Sequence, residues 1–258
     1  MDRRQEYTKI NAQTWDDWAQ NGCEWSLPVS PEECEAARRG EWGVYLTPTR
    51  LVPKEWFPPS LEGVELLGLA SGGGQQMPLF SLVGANCTVV DYSDRQLASE
   101  RMVARREGYD IRIVQADMTK RLPLEDESFD LIFHPVSNCY IEDVHHVWRE
   151  CYRLLRHGGL LLAGMDNGLN FLFDDEEPPL TVKNRLPYNP LTASEEDYRC
   201  MVEQREGIQF SHTLEDQIAG QLHAGFCLTD LYEDRDRPGC GLLREYAPQY
   251  LATRAVKP

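Results

Sequence analysis

Two aspartates and one turn of small residues are spaced to hold a nucleoside. Asp91 closes the apolar run 87–91, Asp117 closes the run 111–117, and Ala70-Ser71-Gly72-Gly73-Gly74 follows the run 64–69. A carboxylate at the end of a strand can accept hydrogen bonds from both hydroxyls of a ribose. A second one, a strand further on, can accept from the exocyclic amine of adenine. A turn without bulky side chains lets backbone approach a ligand closely and aims the free N–H groups of the next helix at it. A lone aspartate at a strand end is ordinarily a helix cap. Three marked strand ends in succession describe a pocket for an adenosine with a further group at the turn. That group does not read as a pyrophosphate. Counted from Ala70, the third glycine of a dinucleotide motif falls on Gln75, and no Gly-Lys-Ser/Thr follows.

Such residues converge only if the strands lie side by side, with ligands beyond their carboxyl ends where the strand order reverses. The patterning supports that arrangement. Strands are expected at 64–69, 87–91, 111–117, 129–133 and 160–165. Helices are expected at 77–85, from a Ser93/Gln96 capping box to Gly108, and over 143–157. Val144, Val147, Trp148, Cys151, Leu154 and Leu155 line one face of that last helix, which Gly158-Gly159 ends. A helix at 213–224 stopped by Gly225 and two closing strands, 226–232 and 250–256, complete a doubly wound, Rossmann-like α/β sheet of seven strands.

Two segments stand outside this alternation. Residues 1–60 form an N-terminal helical extension or cap. Tyr7, Ile10, Trp15 and Trp18 have helical spacing, and Ser30-Pro31 opens a second helix that Gly40 stops. Residues 42–51 are of extended type, and Pro53, Pro58 and Pro59 break the chain before the domain that spans 61–258. Within that domain, residues 168–210 are an insertion carrying Asp174-Asp175-Glu176-Glu177 and Glu195-Glu196-Asp197. It reads either as a solvated surface excursion or as a lid.

Composition removes several functional classes. A net charge of −16 disfavours nucleic acid and anionic membrane as partners. No apolar run approaches the ~20 residues of a transmembrane helix, and the N-terminus lacks a signal-peptide pattern. The eight cysteines include no Cys-x-x-Cys pair, as expected of reduced thiols in a cytoplasmic protein. No metal site is expected. His145-His146 reads as a solvated helix face, and Cys139 and Cys151 as small buried residues.

The order of small-residue turn, acid, Asp117-Met118 and Phe129-Asp130-Leu131-Ile132 resembles the class I S-adenosylmethionine-dependent methyltransferases. It is closest to a group of small bacterial members with an Ala-Ser-Gly-Gly-Gly-Gln-Gln turn and a following His-Pro-Val-Ser-Asn. The resemblance implies S-adenosylmethionine as cofactor and direct methyl transfer to a small-molecule acceptor. It implies that Ala70, Gly72 and Gly74, with Ser71 and Gln75, surround the methionine half. By the same resemblance Asp91 holds the ribose, Tyr92 and Gln96 flank the adenine, and Asp117 with Met118 reads its edge. His134 and Pro135 would face the transferring methyl. His134 is the candidate general base, its alternative being a structural histidine bonded to backbone. Tyr140 and Asn138 share its loop and could orient an acceptor. Trp15, Trp18, Trp25, Trp42, Tyr45, Phe171, Phe173 and Tyr188 either close over the pocket or pack in the core. Gly68 stands where the family has an acid, and Ala70 where it has its first glycine. The alanine is acceptable if its backbone stays in an ordinary region. Two other readings stay open: a nicotinamide-dependent oxidoreductase, which Asp91 allows and Gln75 opposes, and a non-catalytic S-adenosylmethionine-binding module.

Overall fold

The computed structural model describes residues 2–174 and 178–258, so Asp175-Glu176-Glu177 of the acidic run lie outside the described residues. The elements are, in order, α1 (Arg3–Gln20), α2 (Pro31–Arg38), β1 (Glu65–Leu69), α3 (Gln76–Leu82), β2 (Asn86–Asp91), α4 (Asp94–Glu107), β3 (Arg112–Gln115), β4 (Phe129–His134), α5 (Val144–Leu154), β5 (Leu155–Asp166), α6 (Leu169–Leu172), β6 (Phe173–Asp174), β7 (Thr181–Val182), α7 (Glu195–Gln204), α8 (Gly220–Ala224), β8 (Cys227–Asp234) and β9 (Tyr250–Val256). One turn of π-helix, Glu215–Ala219, runs into α8.

Seven strands form one sheet in the order β3-β2-β1-β4-β5-β9-β8. The first five are parallel, and β9 runs antiparallel to both β5 and β8. The order reverses between β1 and β4, which opens a crevice above their carboxyl ends. Strand periodicity divides the core between the two faces. Leu66, Leu131, Phe133 and Leu162 pack on one side with Trp56, Phe80 and Leu97. Leu67, Ile132, Leu161 and Ala163 pack on the other with Trp148, Cys151 and Leu154. Among the described residues, no helix is long and apolar enough to cross a membrane.

The extension folds as its caps dictate. Ser30 and Glu33 form a reciprocal capping box on α2, with Pro31 in its first turn. The chain then crosses the sheet. Leu46, 1% exposed, packs so closely that its carbonyl oxygen accepts from the amide of Val136 at 3.1 Å and lies over Gly164 of β5. The insertion leans on the same extension. Tyr7 meets Phe210 edge to face at 5.2 Å, and Asn11 bonds both the N–H and the C=O of Ile208.

Two local expectations are corrected. The helix expected over 143–157 ends at Leu154, because Leu155 pairs with Phe129 and begins β5; Gly158, at φ +81°, bends that strand rather than capping a helix. At α4, Ser93 accepts from the Gln96 amide, but the Gln96 side chain does not return to the cap. Its Nε2 donates instead to Ser26 Oγ at 2.8 Å, tying the extension to the helix start.

Candidate active site

The crevice is a cavity of about 910 Å³, in the upper range of small-molecule sites. The carboxyl ends of β1 to β5 form its floor. Ala70, Ser71, Gly72 and Gln75 from the turn line it, as do Asp91, Tyr92 and Gln96 after β2, and Asp117 and Met118 after β3. Pro135, Ser137 and Tyr140 contribute from the loop after β4. The extension supplies the roof, through Trp15 of α1, Trp25 and Leu27 of the following loop, and Tyr45 and Leu46 of the crossing segment.

Asp91 accepts from the Ser93 amide at 2.9 Å, and burial pushes its carboxyl up to about 6 against that bond, with neighbouring Asp16 adding to the rise. Asp117 accepts from the N–H and the hydroxyl of Thr119 through Oδ1, which leaves Oδ2 without a hydrogen-bond partner among the described residues. Both carboxylates reach the same cavity as the turn.

The turn itself departs from expectation. Ala70 has φ +47°, in the left-handed region that costs a β-carbon roughly 1–2 kcal/mol. Its amide donates to Val90 O at 2.8 Å, and this bond to β2 fixes the conformation. Ala70→Gly is therefore expected to raise stability by about 1 kcal/mol, read as an upward shift of the urea midpoint. Gly74, at φ +76°, does not line the cavity. It packs against Val103 and Pro28, and its N–H donates to buried Glu100 at 2.7 Å. Burial pushes that carboxyl up to about 7. Gln75 lines the cavity, but its amide donates to Trp25 O at 2.7 Å, so it also braces the roof.

His134 is misplaced as a base. It is fully buried and does not line the cavity. Its Nδ1 bonds Leu69 O at 2.9 Å, its Nε2 meets Asn138 Oδ1 at 2.8 Å, and the ring lies edge-on to Trp148 at 6.0 Å. Burial lowers its pKa, against the bonds to Asn138 and Leu69, which raise it. Asn138 is equally buried and continues the network to Gln217. Both are framework beneath the loop after β4, whereas Tyr140 reaches the cavity. His134→Ala is expected to cost about 3 kcal/mol in urea denaturation, since it leaves polar partners orphaned next to a core tryptophan. A folded variant of unchanged stability would refute the framework role. Of the aromatics, Trp15, Trp25, Tyr45 and Phe171 line the cavity, whereas Trp42 packs on Phe57 and Phe80 in the core. From the insertion, only Asn170, Phe171 and Gln209 reach the cavity among the described residues.

Several cavity residues lie outside the sequence-based expectation, Asp166, Asp236, Arg237 and Tyr250 among them. Asp166 ends β5 and is 2% exposed; its Oδ1 accepts from the Gly168 amide, and its Oδ2 has no hydrogen-bond partner among the described residues. The signal was available, because it ends a strand as Asp91 does.

Known proteins identify this arrangement. The methyltransferase domain model matches residues 67–163, which hold the turn, Asp91, Asp117 and β4. An uncharacterized methyltransferase, YbaJ of Bacillus subtilis, is 43% identical over 251 residues, covering 96% of this chain and 97% of that one. The chain belongs to the S-adenosylmethionine-dependent methyltransferases. Solved structures share the methyltransferase fold. A putative S-adenosylmethionine-dependent methyltransferase from Listeria monocytogenes has a TM-score of 0.62 at 16% identity, over 80% of this chain and 94% of that one. The 1,6-didemethyltoxoflavin-N1-methyltransferase of Burkholderia thailandensis has a TM-score of 0.58 at 15% identity, over 98% and 90%. The cavity fits the methyltransferase cofactor, S-adenosylmethionine. Two carboxylates, one at the end of β2 and one just past β3, suit a ribose and an amine. Arg237 is the one Lys, Arg or His lining the cavity among the described residues, and Glu24 engages it, so no charge is free for a pyrophosphate.

Proposed function

We propose that this methyltransferase acts on a small molecule that the cavity encloses together with the cofactor. The observation that carries the reading is the roof. Residues 8–48 cross above the strand ends and are tied down around the cavity, by Gln75 to Trp25, by Gln96 to Ser26, and by Val29 N to Gly74 O at 2.8 Å. A polymer substrate needs an open face, and RNA also needs free cations. This cavity is instead lined by Asp91, Asp117, Asp166, Asp236, Glu24 and Glu33, with one paired arginine.

When bound, S-adenosylmethionine supplies an electrophilic methyl on a sulfonium. The chain has to hold, orient and exclude water. Asp91 would accept from the ribose hydroxyls. Asp117 would read the adenine edge, with Tyr92 and Met118 beside the ring. Ala70 to Gly72 would follow the methionine half. Tyr140 and the aromatic roof would shut water from the acceptor side.

The test has two arms. Calorimetry should show S-adenosylhomocysteine binding at one site per chain; a folded protein that fails to bind it would refute the reading. With methyl-labelled S-adenosylmethionine and a cell extract as acceptor source, the transferred label should pass a dialysis membrane. Label retained on RNA or protein would overturn the small-molecule assignment.

A further inference from the structure

The sheet divides the cavity. The turn, Asp91 and Asp117 stand on the β1, β2 and β3 side, and the β4, β5 and β9 side holds a second set of groups. Asp166 and Tyr250 are direct cross-strand partners, so their side chains leave the sheet on one face. Tyr250 donates from its hydroxyl to Asp236 Oδ2 at 3.2 Å, which holds its ring in place. Tyr140 is fixed edge-on by Trp15 at 5.5 Å, and Phe171 is stacked on Tyr188 at 5.9 Å. Three anchored aromatic rings therefore line this half of the cavity, and all three line it with Asp166.

Asp166 Oδ2 is the unsatisfied group among them. A buried carboxylate oxygen without a donor is costly, and a proton or a ligand N–H or O–H removes the cost. Its sister oxygen is already committed to Gly168, which fixes the direction of the free one.

We propose that Asp166 is the catalytic proton acceptor and that the methyl acceptor is a hydroxyl or amine carried on an aromatic ring held among Tyr140, Phe171 and Tyr250. This rests on the small-molecule reading above and names the acceptor class. The acceptor's oxygen or nitrogen lone pair forms the new bond to the methyl carbon. The carbon–sulfur bond breaks with its electrons left on sulfur, and the proton the acceptor loses goes to Asp166 Oδ2. That proton passes to water when product leaves. Burial holds the Asp166 carboxyl up at about 6, a basicity suited to taking a proton near neutral pH. The same carboxylate excludes acceptors bearing a carboxylate of their own.

The experiment uses the full chain saturated with S-adenosylhomocysteine and three probes of one shape: p-cresol, p-toluidine and p-toluate. On the wild-type protein the first two should bind about tenfold or more tighter than the third. Asp166→Asn keeps the acceptor for Gly168 and loses the charge. It should bind S-adenosylhomocysteine as before, weaken p-cresol about tenfold, and gain affinity for p-toluate. The wild-type series decides the question even if the variant does not fold. Failure of S-adenosylhomocysteine to bind would remove the underlying reading. If it binds while the three probes bind equally or not at all, or if p-cresol is indifferent to Asp166→Asn, the assignment of Asp166 alone is overturned.

Discussion

Replacing Gly164 with alanine should cost about 3 kcal/mol of folding stability, a large effect for one methyl group. A β-carbon at this position would lie 2.0 Å from the carbonyl oxygen of Leu46 and 2.7 Å from its carbonyl carbon. Neither side can yield easily. Gly164 sits mid-strand, with β5 bonded to β4 on one edge and β9 on the other, and faces Ala252 in register. On the other side is main chain, whose Leu46 oxygen is held by Val136 N–H. The crossing segment must lift, and with it the Tyr45, Leu46 and Thr47 wall of the cavity. Urea denaturation should therefore show a lowered midpoint, and calorimetry a weakened affinity for S-adenosylhomocysteine in the same variant. A midpoint within error of wild type would mean that the extension does not rest on the sheet as described.

This contact explains what the sequence hides. The sheet, the turn and the two aspartates are legible because their signals are local: apolar runs, glycines and strand-end acids separated by one helix each. The roof is not. Gln75 to Trp25, Asn11 to Ile208 and Glu24 to Arg237 join positions roughly 50 to 210 residues apart, with no periodicity to announce them. His134 shows a second kind of loss. Its place at the end of β4 is readable, but strand alternation sends Phe133 and His134 to opposite faces, and the ring turns inward onto Trp148. Asp166 was lost for the opposite reason. The strand-end rule applied to Asp91 and Asp117 holds for it too, but the apolar run that marks the fifth strand ends one residue earlier, at Met165.

Removing the Asp91 carboxylate should weaken S-adenosylhomocysteine binding about a hundredfold in Asp91→Ala and about tenfold in Asp91→Asn. Two hydroxyl donors to one charged acceptor carry the larger figure, and the amide retains an acceptor oxygen. The pH dependence separates this role from a structural one. In the free protein Asp91 titrates at about 6, raised by burial and by Asp16. The ionised form is the one that accepts from two hydroxyls, so ribose binding lowers that value. Affinity should then be full above pH 6 and fall by up to about tenfold per unit as the pH drops through it. Asp91→Asn should be flat over the same window. The raised value also means that the folded protein binds this proton more tightly than the unfolded chain does, so ionising Asp91 works against folding as the pH rises between 3.8 and about 6. Without ligand, Asp91→Asn should thus be at least as stable as wild type at pH 8 while binding the cofactor product worse. A carboxylate kept only to cap α4 would give the reverse: lower stability on substitution, and an affinity for S-adenosylhomocysteine that ignores both the variant and the pH.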